Sequence, residues 1–160
     1  MSIRIARWLL AGFALLGAAA QAQTWENPFP ITSQNYVSTF NSCAMQPQNY
    51  VYDYAYPIYA PAVVYRVAQL LLIPPHTTVL RPWTIYLYPP PYLDLSIWVC
   101  KEKYGNQIDQ CVDESDNWGP GLYERVTVPA RVGLYYIVVT GGYAGTYPTC
   151  GPYTFNAIHG

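Results

Sequence analysis

An all-β fold, a disulfide-bonded antiparallel β-sandwich of jelly-roll type, is predicted by three features of the 160-residue sequence. Short runs rich in β-branched and aromatic residues alternate apolar with polar side chains at period two, as half-buried strands do. Prolines and glycines punctuate these runs, most clearly at Pro74-Pro75, Pro89-Pro90-Pro91 and Gly141-Gly142. Beyond the first 22 residues no window carries a helical period. Many short strands with turn signals between them make a sandwich.

The chain opens on an address label. Arg4 and Arg7 precede an apolar run from Trp8 to Ala20, and Ala20-Gln21-Ala22 fits a small-x-small cleavage site. The run falls short of the roughly 20 residues that span a bilayer. Residues 1–22 are therefore expected to be a signal peptide, and no transmembrane segment is expected in the mature chain. No cysteine follows the cleavage site to carry a lipid. The mature protein is expected to be a single domain, secreted or periplasmic.

Residues 23–61 are polar and rich in proline and tyrosine, and are expected to be an irregular segment packed on the domain. A short strand near Tyr36 to Phe40 is the most that the pattern allows. Tyr50, Tyr52, Tyr54 and Tyr56 recur at period two, so an extended chain would line one face with phenol rings. Such a face suits stacking on sugars or peptides. It equally suits an aromatic cover over the sandwich or cross-strand pairing at an edge. Pro57 and Pro61 favour an edge or a surface loop.

The sandwich itself is expected over residues 62–160. Tyr65, Val67, Leu71 and Ile73 can face inward in the first strand. In the next, Trp83, Ile85 and Leu87 share one face, with Thr84, Tyr86 and Tyr88 opposite. The cleanest strand turns Leu93, Leu95, Ile97 and Val99 inward and Asp94 and Ser96 outward. An acidic loop over 101–122 leads to Val126 and Val128. The closing pair follows: Leu134 to Thr140, apolar on both faces as in a strand buried on two sides, then Tyr153, Phe155 and Ala157 opposite Thr154 and Asn156. Leu95, Ile97, Tyr136, Val138 and Phe155 are expected to be buried between the sheets.

Cys43, Cys100, Cys111 and Cys150, in an exported chain, read as two disulfides with three possible connectivities. Cys100–Cys111 would close one short segment, leaving Cys43–Cys150 to tie the start of the domain to its last loop. In the chain-entropy model these bridges contribute about 3 and 4–5 kcal/mol. No two cysteines sit two or four residues apart, which disfavours metal ligation. Removing Arg4 and Arg7 leaves six basic residues against nine acidic ones, a net charge of −3 without a basic patch. Nucleic acid is not expected as a partner on that ground.

The segment from Pro129 to Gly142 (PARVGLYYIVVTGG), closed by GPYTF from Gly151 to Phe155, resembles the end of bacterial pre-peptidase C-terminal domains. Ala62 to Val67 resembles the opening strand of that family, Tyr92 to Val99 its leucine-aspartate-leucine strand, and Tyr123 to Val128 the strand before its proline-alanine turn. Cys100 and Cys111 are placed as in a variant with a bridged loop. Two departures are Ala62, where an aspartate is common, and the inserted Arg131-Val132. The resemblance implies a β-sandwich, here standing alone, of a kind found beside secreted peptidases and assisting export, localisation or substrate attachment. It also implies calcium as a possible ligand, since some relatives hold it.

Catalytic signatures are absent from the sequence. His76 follows two prolines, His159 is penultimate and expected to be frayed, and no metalloprotease, nucleophile-elbow or phosphate-loop motif occurs. An enzyme is not expected, and no cofactor is required. Asp113, Ser115, Asn117 and Glu124 fall at positions 1, 3, 5 and 12 of a twelve-residue window, but Trp118 stands where a calcium loop needs glycine and no helix flanks it. A different calcium site using Asp94, Asp113, Asp116 and Glu124 competes with a solvated acidic surface. The expected function is a non-enzymatic accessory module that binds an extracellular polymer or protein. The alternatives are a structural envelope or matrix protein assembling through its tyrosines, and a small secreted enzyme.

Overall fold

The computed structural model describes residues 27–45, 51–52, 57–58, 61–70, 80–102, 108–117, 119–141 and 149–160. Residues 1–22, Tyr50, Tyr54, Tyr56, Leu71, Ile73, His76 and Trp118 lie outside these, and Tyr52 is described in its backbone alone. In order come β1 (Phe29–Pro30), β2 (Asn35–Asn41), a 3-10 turn (Ser42–Ala44), β3 (Val51–Tyr52), β4 (Pro57–Ile58) and β5 (Val63–Gln69). They are followed by β6 (Trp83–Tyr88), β7 (Leu95–Glu102), β8 (Ile108–Ser115), β9 (Glu124–Val128), β10 (Gly133–Gly141) and β11 (Pro152–His159). One sheet runs β1-β5-β10-β7-β8, the other β2-β11-β6-β9, and β3 pairs with β4. Every pairing is antiparallel except β1 with β5. The antiparallel sandwich is the fold.

Its interior follows the strand parity. Leu93, Leu95, Ile97 and Val99 meet Trp83, Ile85, Leu87, Val126, Val128, Phe155 and Ala157 in one core. Tyr136 and Val138 are a correction. Both are fully buried, yet they point away from this core, and Val138 packs with Ala62 and Trp98 on the other face of its sheet. The register explains why: Ile137 lies opposite Val99 and Tyr65, and Val139 opposite Ile97 and Val63, so the odd-numbered residues of β10 share the inward face. A strand apolar on both sides hides its parity from the sequence.

Residues 29–41 are a second correction in part: the short strand expected near Tyr36 to Phe40 is present as β2, but it belongs to the sandwich rather than to an irregular cover. β2 pairs with β11 over seven residues, from Asn35 opposite Ile158 to Asn41 opposite Pro152. Tyr36, Ser38 and Phe40 are half-buried while Asn35, Val37, Thr39 and Asn41 are exposed. A serine faces in and a valine faces out, so polarity does not betray the alternation.

Both disulfides are those expected. Cys100–Cys111 joins directly opposed residues of β7 and β8, with Cα atoms 3.8 Å apart. Cys43–Cys150 ties the turn after β2 to the segment entering β11, at a Cα separation of 4.8 Å. Beside it, the Ser42 amide donates to the Gly151 carbonyl at 2.9 Å, and the Gly151 amide donates to Ser42 Oγ at 3.0 Å. Gly121 is required where it stands. Its φ of +78° suits glycine, a Cβ would lie 2.7 Å from Pro91 Cα, and its amide donates to the Leu93 carbonyl at 3.0 Å.

A polar knot sits within the core. The Tyr65 ring stacks on Phe155 across the two sheets, with centroids 3.9 Å apart and planes within 8°. Its hydroxyl lies 3.0 Å from that of Tyr153 and 3.2 Å from Ser38 Oγ. Burial pushes the Tyr65 phenol up to about 12 and that of Tyr153 well above the usual range, so both stay neutral hydrogen-bonding groups. Tyr65→Phe should cost about 1–3 kcal/mol, because it strands the buried Tyr153 hydroxyl, and Tyr153→Phe should cost less, because the Tyr65 hydroxyl keeps Ser38 Oγ. Replacing both together should cost less than the two costs added, by about 0.5–3 kcal/mol. Urea unfolding of the oxidised protein measures this, and strictly additive costs would show that the hydroxyls share no bond.

Candidate functional site

Two regions stand out, one built from the acids singled out in the sequence and one an aromatic face, and they adjoin where Tyr123 precedes Glu124. The first is the acidic connection from β8 to β9. Glu124 is fully buried. Its carboxylate accepts from Ser115 Oγ at 2.5 Å and from the Asn117 amide at 3.0 Å to either oxygen. Asn117 Nδ2 donates to the Tyr123 carbonyl at 2.7 Å, and the Arg125 amide donates to Ser115 Oγ at 3.3 Å. Together these bonds close the loop on itself around one carboxylate.

Asp113 works on another line. Its Oδ1 accepts from the Glu114 amide at 3.0 Å and its Oδ2 from the Thr127 amide at 2.6 Å, which fastens β8 to β9. Asp94 is buried against the same loop and accepts a backbone hydrogen bond from Gly119. Asp116 and Asp94 lie near enough to Glu124 to act on its charge. Three of the four carboxylates, Asp94, Asp116 and Glu124, are thus neighbours, while Asp113 is bound to the β9 backbone. Among the described residues no group of three or more His, Cys, Asp or Glu is placed to hold a metal ion.

His159 is held rather than frayed. It closes β11 opposite Trp83, its amide donates to the Gln34 carbonyl at 2.8 Å, and its ring stacks on Trp83 with centroids 4.7 Å apart.

The second region is the outer face of the β2-β11-β6-β9 sheet. Because Ile85 and Leu87 are buried, Tyr86 and Tyr88 of the same strand point outward. Their rings are near-parallel, 13° apart with centroids 6.1 Å apart. Tyr123 joins them at 6.2 Å from Tyr88. Tyr88 is 44% exposed and Tyr123 54% exposed, which makes them surface rings rather than core. In register beside them, Thr39, Thr154 and Tyr88 form one row across three strands, and Val37, Asn156, Tyr86 and Arg125 form the next across four. At the end of the first row an open groove of about 690 Å³ is lined by Thr39, Asn41, Tyr88, Pro90, Pro152 and Thr154.

No family model matches the chain, and a search of curated proteins finds no match. Among solved structures it is similar to the pre-peptidase C-terminal domain of a collagenase from Bacillus anthracis. That likeness has 11% identity, covers 82% of this chain and 94% of that one, and reaches a TM-score of 0.48.

Tyr86 and Tyr88 were legible in the sequence as the outward partners of Ile85 and Leu87, whereas Tyr123 was not. The run Tyr50 to Tyr56 drew the functional reading instead, and its side chains lie outside the described residues.

Glu124 gives the site a pH signature. Burial pushes its carboxyl above the ordinary value, the hydrogen bonds from Ser115 and Asn117 pull it back in part, and the Asp116 and Asp94 charges add to the rise. An acid with a raised folded-state pKa binds its proton more tightly folded than unfolded. Its contribution to stability is therefore full below the unfolded value, about 4.3, and declines as pH rises through the folded value. Glu124→Gln should flatten the dependence of melting temperature on pH above about 4.3 relative to the parent. Parallel curves would show that Glu124 titrates alike in both states.

Proposed function

We propose that this protein is a non-catalytic binding module working outside the cytoplasm, and that its contact surface is the outer face of the β2-β11-β6-β9 sheet. The observation that carries the reading is the outward cluster of half-buried Tyr86 with exposed Tyr88, both on β6 whose other face is locked in the core, and exposed Tyr123 just before β9. Tyrosine supplies large, stiff, amphipathic contact area at small entropic cost, so exposed rings gathered on a sheet suit recognition. Two disulfides support an oxidising compartment, and the basic start followed by the apolar run supports export. The partner is an extracellular polymer or protein.

One observation favours assembly of the protein with itself as a second reading. Among the described residues β2 pairs with β11 alone, and its sequence NYVSTFN has no charge, proline or glycine to blunt the edge. Sedimentation over a wide concentration range separates the two. Assembly through this edge shows as concentration-dependent association abolished by Val37→Lys, whereas a binding module sediments as one species throughout.

The binding reading is tested by depletion of the oxidised protein onto cell-envelope fractions and insoluble extracellular polymers. Uptake should saturate, and Tyr88→Ala should weaken it about tenfold or more while leaving the melting temperature unchanged, as expected for an aromatic anchor. Equal uptake by Tyr88→Ala and the parent would remove this face from the function.

A further inference from the structure

We infer that the ligand of this face is an uncharged polysaccharide, seated in the groove beside Tyr88 and continuing over Tyr86 and Tyr123. The inference rests on the binding reading above and names the chemistry of its ligand.

Charge narrows the choice first. Among the outward side chains of β2, β6, β9 and β11, Arg125 is the one ionised group. A polyanion needs a row of cations, and a polycation needs a row of carboxylates. Two of the acids beside the face are engaged elsewhere: Glu124 is buried under Ser115 and Asn117, and Asp113 is bound to the Thr127 amide. An uncharged face complements an uncharged ligand.

The polar groups narrow it further. Thr39 and Thr154 lie in register with Tyr88, and Asn156 with Tyr86, so each ring has hydroxyl or amide neighbours on its own row. A threonine hydroxyl or an asparagine amide both donates and accepts. Sugar hydroxyls do the same, and the C–H faces of a sugar ring supply the apolar surface that a phenol face stacks on. A proline-rich peptide offers a poorer match. Its proline residues carry carbonyl acceptors without N–H donors, which leaves the acceptor half of these groups unused.

Shape agrees. The groove of about 690 Å³ falls in the range of small-molecule sites, roughly 300–1,000 Å³, yet it is open along the sheet. Tyr88 forms one wall and Pro152 and Thr154 part of the lining, so a chain entering there passes directly onto the paired rings. Prolines at the wall hold fixed backbone angles, and the groove lining needs little ordering when a ligand arrives.

The test is affinity electrophoresis and pull-down of the disulfide-intact protein. The probes are a soluble neutral β-glucan, cellulose and chitin, with alginate as a polyanion and gelatin as a proline-rich protein. Binding to at least one neutral polysaccharide is expected, changed less than twofold between low and high salt because no ion pairs are screened. Tyr88→Ala should weaken it about tenfold or more and Tyr86→Ala by a smaller factor. Tyr88→Phe, which keeps the ring, and Arg125→Ala, which removes the charge, should each stay within about threefold of the parent. Tyrosine-dependent capture by gelatin with no neutral polysaccharide bound would overturn the ligand class and leave the binding face standing. Binding to alginate that collapses with salt and with Arg125→Ala would overturn it likewise. Full capture of Tyr88→Ala and Tyr86→Ala on every probe would overturn the face itself.

Discussion

Tyr65 crosses the interior from β5 and stacks on Phe155 of β11, and its hydroxyl ends against Tyr153 and Ser38. That contact holds the sheets together and also sets which residues the protein shows to its surroundings. With Tyr153 and Phe155 anchored inward, the pleat turns Thr154 and Asn156 outward. β11 is paired on both sides, so its register fixes that of β2 and β6, and Leu87 and Ile85 in turn fix Tyr88 and Tyr86. A slip of one residue would bury the exposed tyrosines and expose the core. The binding face is the reverse side of the core.

Parity was legible wherever one side of a strand is polar. β6, β7 and β11 alternate cleanly, and their inward residues are those the pattern names. β10 defeats the same reasoning, because GLYYIVVTG is apolar throughout and only its partners decide that Tyr135 rather than Tyr136 meets the opposite sheet. β2 defeats it in the opposite way, with Ser38 inside near two phenol hydroxyls and Val37 in solvent. Of the three connectivities open to four cysteines, the one that closes the short Cys100–Cys111 segment is the one formed. Thus the frame was visible locally, while the edge strand β2 and the doubly apolar β10 needed their neighbours.

The acidic end of β8 and start of β9 show a structural use for carboxylates close in sequence. Asp113 and Glu124 each accept hydrogen bonds from backbone amides or a hydroxyl. A chain returning from β8 to β9 leaves such amides without strand partners, and burying them unpaired is costly. Carboxylates are the strongest acceptors available for the purpose. Burial then exacts an electrostatic cost on Glu124, visible as its raised pKa, which the bonds from Ser115 and Asn117 only partly offset. Sequence spacing reports that acids are near one another; it does not report which donors reach them first.

The fastenings adjoin the exposed rings. The Cys43–Cys150 bridge and the Ser42–Gly151 bonds hold the turn that carries Ala44 against Pro152, both of which line the groove. The Gly121–Leu93 bond and the Glu124 cage hold the loop that carries Tyr123. Binding costs the ordering of whatever moves at the interface, and a surface already fixed loses least. Stacking and neutral hydrogen bonds each contribute about 1 kcal/mol, so a face built from them depends on several acting together. Simultaneous contact along a chain ligand requires the rings to keep their spacing. In this fold the spacing is set by buried registers and covalent bridges.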